Sequence, residues 1–143
     1  MANIVPFSFK GELASGTHNF ASGGNTFKLA LYTANPYTTS STVKVATSEV
    51  SSAGGSNYTA GGNTLTGQSV TASTATTAID FDDTSWSSAT FTAAFGAIYD
   101  TSASDKLVVV LDFGGNKTAT NGTFTIAFPD PSTPSNAIIS ITS

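Results

Sequence analysis

From Asn63 onward the chain is a series of short runs rich in β-branched and aromatic residues, each broken off by Gly, Pro, Asn, Asp or Ser. The runs are Asn63 to Ala72, Thr76 to Asp82, Ala89 to Tyr99, Lys106 to Phe113, Thr123 to Phe128 and Ala137 to Thr142. Between them stand Asp83-Thr84-Ser85, Asp100 to Asp105, Gly114-Gly115-Asn116, Asn121-Gly122 and Pro129 to Pro134. Strands of this length between turn signals leave no room for ordinary helices. Upstream, Thr26 to Thr33 alternates with period two, Phe27, Leu29 and Leu31 facing one way, which reads as a half-buried strand. The pattern predicts an all-β fold: a single-domain β-sandwich or jelly-roll-like unit over residues 1–143, with about seven to nine short, mostly antiparallel strands.

Composition agrees. There are 20 Ser and 24 Thr, while only 10% of residues are charged. Thr suits strands and Ser suits turns, and the good helix formers Glu, Lys, Arg and Leu are scarce. In Lys106 to Phe113, Leu107, Val109 and Leu111 are expected on one face and Val108 and Val110 on the other. A strand apolar on both faces is expected in the middle of the fold. Asn121-Gly122 suits a tight hairpin turn. Residues 34–62, rich in Ser, Thr and Gly, read as a long connection with at most one short element around Val43 to Val50, and long loops in compact domains are often contact surfaces. Residues 1–10 read as an N-terminal arm, because Pro6 cannot donate to an interior ladder. Phe7 to Leu13 equally fits a short helical turn.

The five basic residues are single lysines and there is no Arg, with a net charge of −4. Nucleic-acid binding needs a basic stripe, and anchoring to anionic lipid needs basic residues too, so neither partner is expected. The absence of Cys excludes disulfides and thiolate metal sites. No run approaches a membrane span, and Met1 to Gly16 does not read as a leader, so synthesis in a cytoplasm is expected. Asn57-Tyr58-Thr59, Asn116-Lys117-Thr118 and Asn121-Gly122-Thr123 match the N-glycosylation acceptor pattern and are read as chance.

No catalytic residue or cofactor is predicted. His18 is the single imidazole, and no nucleophile elbow or Cys accompanies it, so a structural role is expected. Asp80, Asp82 and Asp83 form the densest acidic group and are the one metal candidate, for calcium, although the chain lacks an Asp-x-Asp-x-Asp-Gly loop. Asp80 and Asp82, about 7 Å apart on one strand face, are also the only candidate glycosidase pair, without a cleft-forming insert. Phe91, Phe95 and Tyr99 are expected on one strand face, as sandwich core rather than a stacking platform. Trp86 is expected to plug an edge of the core. The interaction candidates are Ile4, Val5, Pro6 and Phe7 in the arm, and Tyr37 and Tyr58 as exposed aromatics of the long connection.

Several phrases in order carry a resemblance. They are Phe27 to Thr33, Ser48-Glu49-Val50, Tyr58 to Leu65, Asp83 to Thr90, Ala97-Ile98-Tyr99, Val110 to Gly114 and Thr123 to Ile126. Over most of residues 7 to 142 the chain resembles a family of small virion structural proteins of tailed bacteriophages. That family usually carries a basic residue in the strand before Ile98-Tyr99, where Ala93, Ala94 and Phe95 stand here. The resemblance implies a virion component and does not fix which one. In size and make-up the chain is similar to capsid decoration (cement) proteins, and by that analogy it is expected on the capsid surface, with the major capsid protein and copies of itself, as a trimer, for partners. It brings no catalytic residue. The alternative is a tail- or fibre-associated carbohydrate- or receptor-binding module.

Overall fold

The computed structural model describes residues 2–130, 132 and 137–142. A short helix α1 (Phe7–Ala14) leads into strands β1 (Phe27–Tyr32), β2 (Asn63–Thr64), β3 (Ser69–Ala72), β4 (Thr76–Asp80) and β5 (Thr84–Asp100). A 3-10 turn (Thr101–Ala103) then leads to β6 (Lys106–Ile126) and β7 (Ile139–Thr142). The strands form two antiparallel sheets, ordered β2-β1-β5-β6 and β3-β4-β7. The fold is a small all-β, sandwich-like one, as predicted. No helix among the described residues is long and apolar enough to cross a membrane.

The spine is the ribbon of β5 and β6, paired from Thr84 opposite Ile126 to Asp100 opposite Lys106. Sequence reasoning placed two strands at 106–113 and 123–128, with Asn121-Gly122 as a hairpin turn between them or the end of a longer loop. Instead one strand of 21 residues runs through, and the chain reverses at Thr101 to Asp105. There Ser104 and Asp105 take positive φ, and Asp100 Oδ1 accepts the Ser102 N–H at 2.9 Å. Gly114 (φ +72°), Gly115 (φ +131°) and Asn121 (φ +47°) absorb register shifts inside the ribbon. The left-handed residues were legible; whether they turn the chain or bulge a strand depends on the partner strand.

These irregularities also correct the expected faces. A one-residue slip moves every later side chain to the other face. Phe91 and Ala93 face the main core with Trp86 and Ala89, while past the shift at Ala93/Phe95, Phe95, Ala97 and Tyr99 face a second cluster. In β6 a shift opposite Ile98/Tyr99 places Val108 and Val109 together in the main core, and Leu107 with Val110 in the second. Nor is β6 central. It is the edge strand of its sheet, apolar on both faces because the arm and the long connection cover its first third: Ile4 bridges Val110 and Val43 bridges Lys106.

The main core lies between the sheets. Phe27, Leu29 and Leu31 of β1 meet Ile79, Phe81 and Ile139 across the gap, and Phe20 stacks on Phe27 at 4.5 Å. Trp86, Phe91 and Phe124 form its far end, with Phe91 and Phe124 4.9 Å apart. Each buried large side chain contributes about 1.5–3 kcal/mol, enough for a core without disulfides. β1 is buried on both faces rather than one: Ala30 and Tyr32 sit in the second cluster with Tyr37, Tyr99, Leu107 and Val110. The covering layer is the 33–62 connection, which has no named helix or strand and only single bridges, at Val43 and Glu49.

Candidate functional site

Helix α1 is weak by itself, with eight residues, Gly11 inside it and no side-chain cap at Pro6. Its place is fixed by Phe9, which is buried, and by Glu12. Glu12 Oε1 accepts from Lys106 Nζ at 2.7 Å, and Glu12 Oε2 lies 3.0 Å from His18 Nε2. The other ring nitrogen, Nδ1, lies 2.8 Å from Asp100 Oδ2, which also accepts from Asn25 Nδ2 at 2.7 Å. His18 and Asp100 have fully buried side chains, and Phe9, Phe20 and Phe27 surround the imidazole. Carboxylates only accept, so both ring nitrogens face acceptors. Among the described residues, both hydrogen bonds of the His18 ring are to carboxylates. This geometry holds one end of the fold together, and it joins α1, the 15–26 connection and both ends of the ribbon turn.

Burial pushes the Glu12 carboxyl up, but its bonds to Lys106 and His18 outweigh that and hold it below the usual carboxylate range. Sequence reasoning missed Glu12, Asn25, Asp100 and Lys106 as partners of His18. No local pattern pairs residue 18 with residue 100. The available signal was Asp100 itself, a carboxylate placed directly after the apolar Ala97-Ile98-Tyr99 in a chain with few charges.

A second polar group pins the long connection. Glu49 Oε2 pairs with Lys44 Nζ at 2.6 Å, and Glu49 Oε1 accepts from the Tyr58 hydroxyl at 2.8 Å and the Gly61 N–H at 2.5 Å. Tyr58 also accepts the Leu31 N–H at 3.0 Å. The Tyr32 hydroxyl donates to Val45 O and Tyr37 donates to the Tyr32 hydroxyl at 2.7 Å, while Tyr99 donates to Gly61 O. Tyr37 and Tyr58, expected as exposed contact aromatics, are therefore 4% and 3% exposed. Their hydroxyls satisfy backbone and carboxylate groups that strands would otherwise satisfy, and their rings complete the two apolar clusters. Burial raises all four tyrosines, Tyr99 up to about 12, where Asp105 and Glu49 add to the effect.

The calcium candidate does not assemble. Asp82 Oδ2 accepts from Thr66 Oγ1 and Asp83 Oδ1 accepts the Phe128 N–H at 2.8 Å, so each carboxylate serves a separate neighbour. Among the described residues no three His, Cys, Asp or Glu side chains come together to hold a metal. Burial raises the Asp80 carboxyl, and the negative charges of Asp82, Asp83 and Asp130 raise it further against the Phe81 N–H.

The arm is shorter than expected. Residues 2–6 are extended, and the helical alternative holds from Phe7. Ile4 exchanges two backbone hydrogen bonds with Val110 (2.9 and 2.8 Å), and Asn3 Oδ1 accepts the Asp112 N–H at 2.8 Å. Within this chain the arm thus adds to its own sheet. Ile4 is half-buried and Pro6 fully buried, so neither is a free contact residue, whereas Val5 is 38% and Phe7 65% exposed. Phe7 is the one exposed member of ten phenylalanines, and Val43, also exposed, sits on the same edge of β6.

Beyond the arm, a groove of about 650 Å³ follows the outer half of β6. Phe113, Phe124, Phe128 and Ile138 give it an apolar floor, and Lys117 and Thr125 stand at its rim. Comparisons of the chain with protein-family models, with curated proteins and with solved structures gave no match.

Proposed function

We propose that this chain is a non-enzymatic virion protein of a tailed bacteriophage, a decoration (cement) protein that docks on the assembled capsid as a symmetric trimer and stabilises it. The observation that carries the reading is the β6 edge with its arm. Phe7, at 65% the one exposed phenylalanine of ten, stands outside, with Val5 and Val43. Exposed apolar side chains in the two segments that line the β6 edge suit docking to another protein. The charged side chains support a building role too: Glu12, His18, Asp100 and Lys106 are engaged with one another, joining helix, connection and ribbon. The resemblance to small phage virion proteins points the same way. A subunit that binds the finished shell and not its separated parts stabilises the shell by mass action.

The test is co-sedimentation with emptied capsids of the same phage, with separated tails alongside. Saturable binding to capsids, weakened at least about tenfold by Phe7→Ser without loss of folding, is the expected result. Binding to tails alone, or to neither, overturns it.

The groove beside β6 favours a second reading, a carbohydrate-binding module on a tail or fibre. Aromatic side chains flanked by threonine hydroxyls and a lysine suit sugar faces and hydroxyls. Binding on a glycan array that disappears on Phe128→Ala would support it, and a blank array would remove it.

A further inference from the structure

We infer that residues 2–14 form a detachable latch: the arm and α1 come away from the ribbon as one unit while the aromatic core stays folded, with Glu12 as the catch. The inference goes beyond the decoration reading and does not depend on what the protein binds.

The unit has little stability of its own. A helix of eight residues with a glycine inside it is not stable in isolation. Among the described residues, the arm holds by the two Ile4–Val110 bonds, by Asn3 to Asp112 N, by the buried Pro6, and by the Phe7 N–H to Thr39 O at 2.8 Å. The helix holds by Phe9, by the half-buried Leu13, and by the two oxygens of Glu12.

The line of separation is visible in the polar cluster. Without Glu12, His18 still bonds Asp100, Asn25 still donates to Asp100 Oδ2, and Ser102 N–H still donates to Asp100 Oδ1. The Asp100 side of the cluster therefore keeps its bonds, only His18 Nε2 gives up its acceptor, and Glu12 is the member that can leave. The charged groups facing Glu12 are Lys106 from β6 and His18 from the 15–26 connection; Asp100 from β5 faces His18 from the other side. Departure uncovers the β6 edge at Val110 and Asp112 and the seat of Phe9. Local openings of this kind belong to segments whose stability lies well below that of the core.

Acid is one lever. Glu12 is held below the ordinary carboxylate range, so its contribution is complete above the unfolded value and is lost as pH falls through the lowered folded one.

The test is native-state hydrogen exchange on the full chain, comparing the natural protein with Glu12→Gln and, as a second variant, Lys106→Gln. The latch is read at the amides of Ile4, Phe7, Ser15 and Val110, and the core at Leu29, Leu31 and Ile98. Trp86 emission reports whether the core is intact. In Glu12→Gln the latch amides should exchange about ten- to a hundredfold faster, the range for losing a hydrogen bond to a charged group, with core amides and Trp86 unchanged. Lys106→Gln should reproduce the pattern more weakly, and it decides the matter if Glu12→Gln does not fold. Latch and core amides accelerating together, or latch amides unmoved in the folded variants, would overturn the inference.

Discussion

Removing one oxygen tests how the long connection is held. β2 covers β1 only at Lys28 and Leu29, so at Leu31 the open edge is closed by other means: the Tyr58 hydroxyl takes the Leu31 N–H, and Val50 N–H donates to Leu31 O at 2.9 Å. Tyr58→Phe keeps the ring and its contacts with Trp86 and Phe91 at 6.1 and 5.7 Å, so the change is polar alone. It orphans a buried N–H, at about 1–3 kcal/mol, and removes a hydrogen bond to a carboxylate, at about 1.5–3 kcal/mol. Glu49 keeps Lys44 and the Gly61 N–H, which reduces the second loss, so about 2–4 kcal/mol is expected in total. At about 2–4 °C per kcal/mol for a chain of this size, Tm should fall by roughly 5–15 °C. Urea titration read by Trp86 fluorescence should show a lower midpoint with an unchanged slope. Tyr99→Phe, which loses only the bond to Gly61 O, should cost about 1 kcal/mol. Equal, small losses in both variants would refute the idea that Tyr58 completes the β1 ladder.

Three further outcomes follow from the same geometry. Because burial raises Tyr32, Tyr37, Tyr58 and Tyr99, their contribution is intact below the ordinary tyrosine value near 10 and is lost as pH rises beyond it; unfolding free energy from urea titrations should fall steeply between pH 10 and 12, by up to about 1.4 kcal/mol per pH unit for each hydroxyl. Asp80→Asn should raise stability at pH 7 by up to about 1 kcal/mol, after discounting for exposure, with the gain vanishing toward acid, because the raised Asp80 value means that ionisation opposes folding; calorimetry at pH 7 and pH 3 checks it. Gly62→Ala should cost about 2–5 kcal/mol by thermal melting, since φ there is +75° and a Cβ would lie 1.8 Å from Leu29 O.

The all-β architecture was legible because period-two runs and turn residues are local signals. Phe27, Leu29 and Leu31 were placed on the right face for that reason. The ribbon was not legible, since a left-handed Gly or Asn reads the same in a hairpin and in a bulge, and only the facing strand distinguishes them. Tyr37 and Tyr58 misled for a related reason: a phenol reads as an amphipathic surface residue until the group that takes its hydroxyl is known. Of the candidate sites, Val5 and Phe7 proved exposed. Asp80, Asp82 and Asp83 stand close together in sequence, but Asp82 meets Thr66 and Asp83 meets the Phe128 N–H, partners that no local pattern announces. The burial of His18 between Glu12 and Asp100 was not legible, because Asp100 lies 82 residues away along the chain.

That distance has a consequence during synthesis. Lys106 follows Glu12 by 94 residues, and the ribbon turn that carries Asp100 forms only once both its strands exist. At roughly 5–20 residues per second, the first quarter of the chain waits on the order of 5–20 s on the ribosome before its partners emerge. Phe7, Phe9, Phe20 and Phe27 all lie in that waiting segment. The order of translation thus opposes the order of assembly, and the protein should be at its most aggregation-prone, and most dependent on chaperones, before it is complete.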